Sequence, residues 1–386
     1  MQELKFTLET VTPLFLAGAD PRQRAELRPP SFRGALRYWL RAVLGGIIGD
    51  SDLTELHHLE NQIFGAANEQ EGASAVKLHL RSLNQVSPLP YRRSSSPSGR
   101  DYLYWSMVES GRSDRGNYQP PKQFFPTGAT FELILRTRPG LRDAESKLEA
   151  AVVALWLLVQ LGGIGSRSRR TAGSLFTRPQ MAFGLDFALN ATTPQQAAEQ
   201  LGQGLQTIRS TKFLTLQKRA PHAPSFFDVL HPTTAKIWVL GMWQSANEAI
   251  EAVGAKLRDF RNRREPDYQN VSRWLTGATI PTVQRAAFGL PLVYRYSSGI
   301  SGTVQAKAGQ DGIDRRASPL WLKISKTTQG KFFAVATLFN ARFLPERAKL
   351  SVTRQRESPD IDPPGDYSII ENWLDQFKQK AEVSYE

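Results

Sequence analysis

The chain has 386 residues, with 49 lysines and arginines against 36 acids and a formal charge of +13 at pH 7. This length suits two domains that each bury a core, and the basic balance favours an acidic partner such as nucleic acid. The lack of cysteine excludes disulfides and thiolate metal sites. The longest apolar run, residues 150–161, is shorter than the roughly 20 residues that span a bilayer, so we expect a cytoplasmic protein without a membrane segment.

The first half of the chain predicts a βαββαβ unit. Leu4, Phe6 and Leu8 alternate with polar residues and indicate a strand, and an apolar stripe after Ser31, the expected N-cap, indicates a helix that ends at Gly45. The remaining predicted elements are strands at 76–80 and 131–135, a helix at about 142–161, and a strand near 175–183. This order is that of the ferredoxin-like, or RRM-like, fold.

Residues 84–124 interrupt this unit as a long insertion rich in proline, glycine and serine. Its composition is typical of a mobile loop, and equally of a short hairpin with a small apolar cluster of its own. The insertion mixes aromatic and basic residues, a combination that can stack on unpaired bases and neutralise phosphates. These residues are Tyr91, Arg92, Arg93, Tyr102, Tyr104 and Trp105.

The second half predicts another α+β domain. After a linker at 188–204, strand patterns occur at 235–242, 289–296, 320–326 and 332–343, and helical patterns at 247–264 and 367–380. The sequence therefore predicts an α+β protein with two ferredoxin-like domains, residues 1–187 with the insertion at 84–124, and residues 205–386.

A glycine-rich stretch follows the second helix, LGGIGSRSRRTAGSL at 161–175, with four glycines, three arginines and no acid. Glycines permit positive φ and close approach, so main-chain N–H groups can converge on phosphate oxygens while arginines supply charge. The alternative is an ordinary helix-ending turn. A change of the three arginines to alanine should lower the affinity for nucleic acid, and because exposed arginines contribute little to stability it should leave folding intact. The candidate residues are Gly162, Gly163, Ile164, Gly165, Ser166, Arg167, Ser168, Arg169 and Arg170.

Arg33, Arg37 and Arg41 lie four residues apart on the first helix and therefore share one face. Their mutual repulsion suits a face on which an anion neutralises them, and a plain solvated face is the alternative. The basic run at 257–267 also contains acids, so a surface salt-bridge pattern explains it and we leave it outside any site.

Catalytic signals are weak. The histidines match no metal-ligand spacing, and the glycine-rich stretch lacks the lysine and hydroxyl residue of a P-loop. We therefore predict no enzyme, no metal and no cofactor. A metal-independent ribonuclease, which needs only a histidine beside an arginine, stays open as an alternative. The five histidines are His57, His58, His79, His222 and His231.

Five segments, in this order, resemble the RAMP superfamily of CRISPR effector proteins, and within it the first subunit of the type III-B, or Cmr, complex. They are ELRPPSFRGALRYWLRAVLG, IFGAANEQEGAS, GGIGSRSRRTAGSL, QRAAFGLPLVY and RRASPLWLKI, and together they span residues 26–324. One departure concerns the outer half of the loop, where Thr171 and Ala172 stand in place of a glycine and an aromatic residue.

The resemblance implies a non-catalytic RNA-binding subunit of an antiviral ribonucleoprotein, with guide RNA, target RNA and other Cmr subunits as partners. It places the subunit near the 3′ end of the guide, with the glycine-rich loop and the first helix beside the RNA. Arg285 and Arg316 are further candidates carried over from the second domain. A structural adaptor without RNA contact is the remaining alternative.

Overall fold

The computed structural model describes residues 1–385 except 21, 23, 51, 67–71, 85, 97, 112–113, 115, 216–224, 263–264, 308–314 and 354–358. The fold is of the mixed α+β class. The first half contains β1 (Glu3–Thr10), α1 (Pro29–Ile48), α2 (Leu53–Phe64), β2 (Val76–Ser82), β3 (Leu89–Pro90), α3 (Gly99–Leu103), β4 (Gln123–Phe124), β5 (Thr130–Thr137), α4 (Ala144–Leu161), β6 (Leu175–Thr177), β7 (Met181–Ala182), β8 (Leu185–Asp186), α5 (Pro194–Arg209) and α6 (Lys212–Thr215).

The second half contains β9 (Ala235–Trp243), α7 (Ala246–Asn262), α8 (Asp267–Leu275), β10 (Leu292–Arg295), β11 (Ser301–Ala306), β12 (Leu320–Lys326), β13 (Phe332–Phe339), β14 (Leu350–Thr353), α9 (Ser368–Leu374) and β15 (Lys380–Glu382). Each half has a four-stranded antiparallel sheet, in the order β2-β5-β1-β6 in the first and β12-β13-β9-β15 in the second. If the four strands of each sheet are numbered 1 to 4 in chain order, both sheets have the spatial order 2-3-1-4.

Helix α4 is apolar on every side, and from Ala150 to Leu161 all its residues are buried. Such a helix lies inside a core, because an exposed helix shows a polar face. The prediction of a buried helix for residues 150–161 is confirmed.

The second sheet contributes to two cores, because successive side chains of a strand point to opposite faces. On β9, Ile237 and Val239 belong to a core that also contains Phe6 of β1, whereas Trp238 and Leu240 belong to a second core. Ala381 of β15 lies in the same core as Phe6. Side chains from both halves of the chain therefore complete the first core.

Helix α1 is longer than its pattern predicts. It begins at Pro29, whose fixed φ suits a first helical position, so Ser31 lies inside the helix and not at its cap. It continues through Gly45 and Gly46 to Ile48. Added Cβ atoms at these two glycines would meet the Phe227 ring and the Leu230 carbonyl. The glycines here permit close packing and do not end the helix.

The predicted linker at 188–204 is wrong, since α5 occupies much of it. Its buried side is built from alanines and spaced leucines, among them Ala197 and Leu201, which form a weaker apolar signal than a leucine-rich stripe. The predicted strand at 175–183 is also shorter, because the chain leaves the sheet after Thr177 and turns into the β7–β8 hairpin. The strand predicted at 289–296 is β10, and it pairs in a separate three-stranded sheet, β10-β11-β14.

The described residues of the 84–124 segment contain α3 and a β3–β4 pair, together with a turn of 3₁₀ helix at Trp105–Met107. Helix α3 packs closely on α7, where Gly99 and Gly254 face each other with no room for a Cβ on either. Glu251 of α7 accepts hydrogen bonds from the amides of Gly99 and Arg100. This segment therefore packs against the second half of the chain. Across the described residues, no helix is both long enough and apolar enough to cross a bilayer.

Candidate nucleic-acid interface

The glycine-rich loop runs from the end of α4 to β6 and is held against its own chain. Gly165 and Gly173 adopt positive φ values of 88° and 64°, and a Cβ on them would meet the carbonyls of Phe15 and Ile164. The amide of Ser166 donates to Phe15 O at 2.8 Å, which fixes the loop on the segment after β1. The glycines thus let two backbone segments pack together.

Several main-chain amides of this loop have no acceptor among the described residues. They belong to Gly163, Gly165, Arg167, Ser168 and Arg169. Arg167 has a left-handed backbone, φ 64°, and leads into a 3₁₀ turn at Ser168–Arg170. A left-handed residue next to right-handed ones turns successive N–H groups toward one concave side, a geometry that binds anions.

A cleft of about 540 Å³ lies over this loop, and we call it the glycine-loop cleft. Its walls are the loop, one face of α1, and the segments after β1 and before β5. No Asp or Glu is among the described residues that line it. These are Phe15, Leu16, Ala17, Ser31, Ala35, Tyr38, Trp39, Lys122, Gln123, Gly163, Ile164, Gly165, Ser166, Ser168, Arg169 and Trp321.

Arg169 forms the floor of the glycine-loop cleft and is paired internally. Its guanidinium lies 2.9 Å from a carboxylate oxygen of Asp228, whose side chain is only 4% exposed, and 4.7 Å from the ring centre of Trp321. The Tyr38 hydroxyl donates to Asp228 at 2.6 Å and accepts from the Trp321 indole at 2.8 Å. Burial, and then the Asp228 charge, raise the pKa of Tyr38. The exposure expected for Arg169 is therefore wrong.

Arg167 and Arg170 differ from Arg169, because no carboxylate pairs with them among the described residues. Nε of Arg167 and one terminal nitrogen of Arg170 are buried without a partner, while the other terminal nitrogen of Arg170 donates to Phe288 O at 3.2 Å. Burial lowers the pKa of Arg167 to about 10. Burial, followed by the charges of Arg261 and Arg167, lowers the pKa of Arg170 to about 9. Buried cations held this way favour a site that an anion completes.

The arginine row of α1 is neutralised by its own chain. The Nε atoms of Arg37 and Arg41 lie 2.6 and 2.7 Å from opposite oxygens of Glu60 in α2, and Glu60 is completely buried. The remaining member, Arg33, has a buried Nε without a partner among the described residues. None of the three lines the glycine-loop cleft, to which α1 contributes Ser31, Ala35, Tyr38 and Trp39 instead.

Arg285 and Arg316 line a second, larger depression of about 1150 Å³, which adjoins the glycine-loop cleft and shares Ser168 and Arg169 with it. We call it the arginine groove. It is bordered by α3, the end of α7, β10 and the glycine-rich loop. It also contains Arg261, from the basic run at 257–267 that the sequence left outside any site. The arginines that line the groove are Arg167, Arg169, Arg170, Arg261, Arg285, Arg295, Arg315 and Arg316.

Thr171 and Ala172, which depart from the family pattern, hold the outer half of the loop in place. Thr171 is buried with φ 71°, and its amide donates to Leu322 O at 2.8 Å. Its hydroxyl lies 2.8 Å from the Tyr104 hydroxyl. Ala172 is fully buried in the second core. This half of the loop is therefore an anchor between α3, β12 and the first sheet.

The sequence missed several residues of the glycine-loop cleft, notably Lys122, Tyr38 and Trp321. Lys122 donates to Ser166 Oγ at 3.3 Å, and burial followed by the charge of Arg22 lowers its pKa. The spacing of Ser31, Ala35 and Tyr38 by four and three residues marks a helix face beside the arginine row, and this signal could have identified the wall of the cleft.

The histidines that the structure describes lie away from both depressions, since none lines the glycine-loop cleft or the arginine groove. Two of them bond neighbours one helical turn away on α2, His57 to Asn61 and His58 to Gln62. His222 lies outside the described residues. Among the described side chains, no group of three or more His, Asp or Glu residues could hold a metal ion.

Comparison with known proteins identifies the family. The model of the RAMP superfamily matches residues 7–175. The CRISPR system Cmr subunit Cmr1-2 of Pyrococcus furiosus is 30% identical over 187 residues, which cover 45% of this chain and 95% of that protein. The chain belongs to the RAMP superfamily.

Other similar proteins extend the similarity along the chain. Cmr1-1 of Pyrococcus furiosus is 26% identical over 345 residues, 89% of each protein. The crystal structure of Cmr1 from Pyrococcus furiosus superposes with a TM-score of 0.65 at 21% identity, covering 100% of this chain and 99% of that one. A chain of the type III-B Cmr-beta complex bound to cognate target RNA and AMPPnP gives 0.51 at 12% identity, covering 96% and 98%. The resemblance recognised in the sequence is confirmed.

Proposed function

We propose that this chain is a non-catalytic RNA-binding subunit of a type III-B CRISPR effector complex. Its relatives in Pyrococcus furiosus are Cmr subunits, and the Cmr-beta structure whose chain shares this fold is bound to cognate target RNA. Other Cmr subunits, guide RNA and target RNA are then its partners. The contact near the guide 3′ end, the role in antiviral defence and the cytoplasmic location follow from the same resemblance.

One observation carries the proposal, namely that the glycine-loop cleft offers amide donors and cations with no acid among its described lining residues. Four residues whose amides lack acceptors among the described residues line the cleft, namely Gly163, Gly165, Ser168 and Arg169. Lys122 supplies positive charge there, whereas the charge of Arg169 is offset by Asp228. An RNA backbone presents phosphate oxygens that accept from such donors, and these contacts do not depend on base identity. Base pairing between guide and target would then supply the specificity.

The two four-stranded sheets support a further part of the proposal, two ferredoxin-like domains. Both show the strand order that a βαββαβ unit adopts in that fold, with α1 and α4 as the helices of the first unit and α7 and α9 as those of the second. We propose a first domain at 1–187, with 84–124 as an insertion in it. The second domain was expected at 205–386, but α5 spans Pro194–Arg209 and packs on β9 and β15, so we propose that the second domain begins before this helix.

The contact residues that we propose are the loop positions Gly162 to Arg170, together with Arg33, Arg285 and Arg316. Arg37 and Arg41 have a weaker claim, because Glu60 already neutralises them. The endoribonuclease alternative finds no support in the described histidines, since none lines either depression.

A pair of variants on α1 tests the contact. Ala35→Glu places a carboxylate in the glycine-loop cleft, whereas Gly34→Glu adds the same charge one residue earlier, at an exposed position with open space around it. We expect Ala35→Glu to weaken binding of single-stranded RNA on the order of tenfold, because a carboxylate repels phosphate at short range. Fluorescence anisotropy with labelled oligouridylate measures this.

Two outcomes would contradict the proposal, namely equal affinities of the Ala35→Glu and wild-type chains, and equal losses in both variants. Crosslinking in the assembled complex distinguishes RNA binding from the adaptor alternative. A structural adaptor would form no RNA adducts on residues 161–175 or on α1. Adducts at these positions are expected if the cleft holds RNA.

A further inference from the structure

The arginine groove is unusual in its charge. Eight arginines line it, and no Asp or Glu is among its described lining residues. Two of these arginines are paired with buried carboxylates behind the groove, Arg285 at 3.4 Å from Asp267 and Arg169 at 2.9 Å from Asp228. Two carboxylates against eight arginines leave the described part of the groove with a concentrated net positive charge.

Several charged donors in this groove are buried and have no acceptor among the residues that the structure describes. They are Nε of Arg167, one terminal nitrogen of Arg170, and both Nε and a terminal nitrogen of Arg316. Buried polar groups in folded proteins are nearly always hydrogen-bonded, and an unpaired buried cation is costly. The guanidinium groups that carry these atoms therefore hold charge that the described part of the chain does not fully compensate.

The groove also has an exposed aromatic platform. Trp105, in the segment between α3 and β4, is 60% exposed, and the Arg167 guanidinium lies 5.4 Å from the centre of its ring. No aromatic ring contacts Trp105 among the described residues. Exposed indole next to guanidinium groups is the arrangement on which unpaired bases stack.

The spread of these groups discriminates between ligands. The arginines come from the glycine-rich loop, α7, β10 and the segment before β12, more than the phosphate of one free nucleotide can engage at once. A duplex keeps its bases stacked inside and offers none to an indole face. A single strand alone matches both the row of cations and the platform.

We propose that the arginine groove binds an unpaired segment of RNA, with one base stacked on Trp105 and its phosphates on Arg170, Arg295 and Arg316. This rests on the proposed function and adds to it a second contact surface with a preference for single strands. The segment belongs to the guide or to the target, whose backbones offer the same chemistry.

Trp105→Ala tests the platform in the full chain, and Tyr118→Ala is the matched control, an aromatic residue 51% exposed in the same segment but outside the groove. We expect Trp105→Ala to weaken binding of labelled oligouridylate on the order of tenfold, and to change binding of the same strand in a duplex by much less. Tyr118→Ala should leave both affinities unchanged.

Arg295→Gln tests the charge, with the exposed Arg178→Gln as control, because Arg178 lines neither depression. We expect a loss for Arg295→Gln alone, accompanied by a shallower dependence on salt. If Ala35→Glu weakens binding while Trp105→Ala and Arg295→Gln do not, the groove proposal is overturned and the proposed function stands. If none of the three weakens binding, both fail.

The source of the strand is settled in the assembled complex. 4-Thiouridine is placed either in the guide or in the target, and adducts on residues 102–107 are mapped by mass spectrometry. Adducts from one labelled strand assign the groove to it. Efficient crosslinking of RNA elsewhere on the chain, with none on 102–107 from either strand, would refute the platform.

Discussion

Arginines of α1 and arginines of the glycine-rich loop share a residue type and differ in what surrounds them. Arg37 and Arg41 converge on the buried Glu60, so their charges are satisfied within the chain. Arg167 and Arg170 are half-buried with no carboxylate partner among the described residues. A row of positive charge on a helix can therefore brace the fold, whereas charge beside a depression without acids is available to a ligand.

Removing both guanidinium groups from the first set should have the largest effect on stability. In Arg37→Ala/Arg41→Ala, Glu60 is left buried without a cation, which costs about 3–5 kcal/mol of unfolding free energy. Urea denaturation measures this loss. Arg33→Ala, on the same helix but without a carboxylate partner, is the control and should change stability by less than about 0.5 kcal/mol. Similar losses of unfolding free energy in both variants would show that pairing with Glu60 does not distinguish Arg37 and Arg41 from Arg33.

Arg169→Ala is expected to have an intermediate effect. Among the described residues it leaves Asp228 with only the Tyr38 hydroxyl, and since Arg169 is 22% exposed we expect a loss of about 1–3 kcal/mol. Arg169→Lys keeps the charge but not the stacking on Trp321, and should recover part of the loss. Thermal unfolding of the two variants provides the measurement, and an unchanged midpoint for Arg169→Ala would show that the Asp228 pair is not structural.

Arg167→Gln/Arg170→Gln should have the smallest effect on stability, within about 0.5 kcal/mol, because no ion pair is lost. RNA binding should nevertheless weaken, and the slope of log affinity against log salt should fall by about 0.7 for each phosphate contact removed. Titrations at a series of salt concentrations test this. A slope equal to that of the wild-type chain would show that these arginines make no phosphate contacts.

The local patterns predicted much of the secondary structure. Alternation marked β1, β2 and β5, and the continuous apolar run marked α4 as a buried helix. Helix α5 was missed because its buried side mixes alanines and a glycine with widely spaced leucines, and α8 because it is short and polar. The separate sheet of β10, β11 and β14 depends on pairing between distant segments, which periodicity does not encode.

The candidate site was predicted only in part, again because contacts between distant segments leave no local pattern. The composition of residues 161–175 identified the loop, but the partners that distinguish its arginines lie far away in sequence. Asp228 pairs with Arg169, and Glu60 comes from α2, a helix that the patterns did not predict. Nothing in the sequence alone says which cation meets which carboxylate, so the triple alanine change first expected to leave folding intact would also remove a structural pair.

The sharing of one sheet between two cores bears on how the chain folds as it is synthesised. Phe6 belongs to a core that also contains Ile237 of β9 and Ala381 of β15, so this core is assembled from residues hundreds of positions apart. This core is therefore completed only after the C-terminal segments have left the ribosome, and until then part of its apolar surface is accessible to chaperones or neighbouring chains.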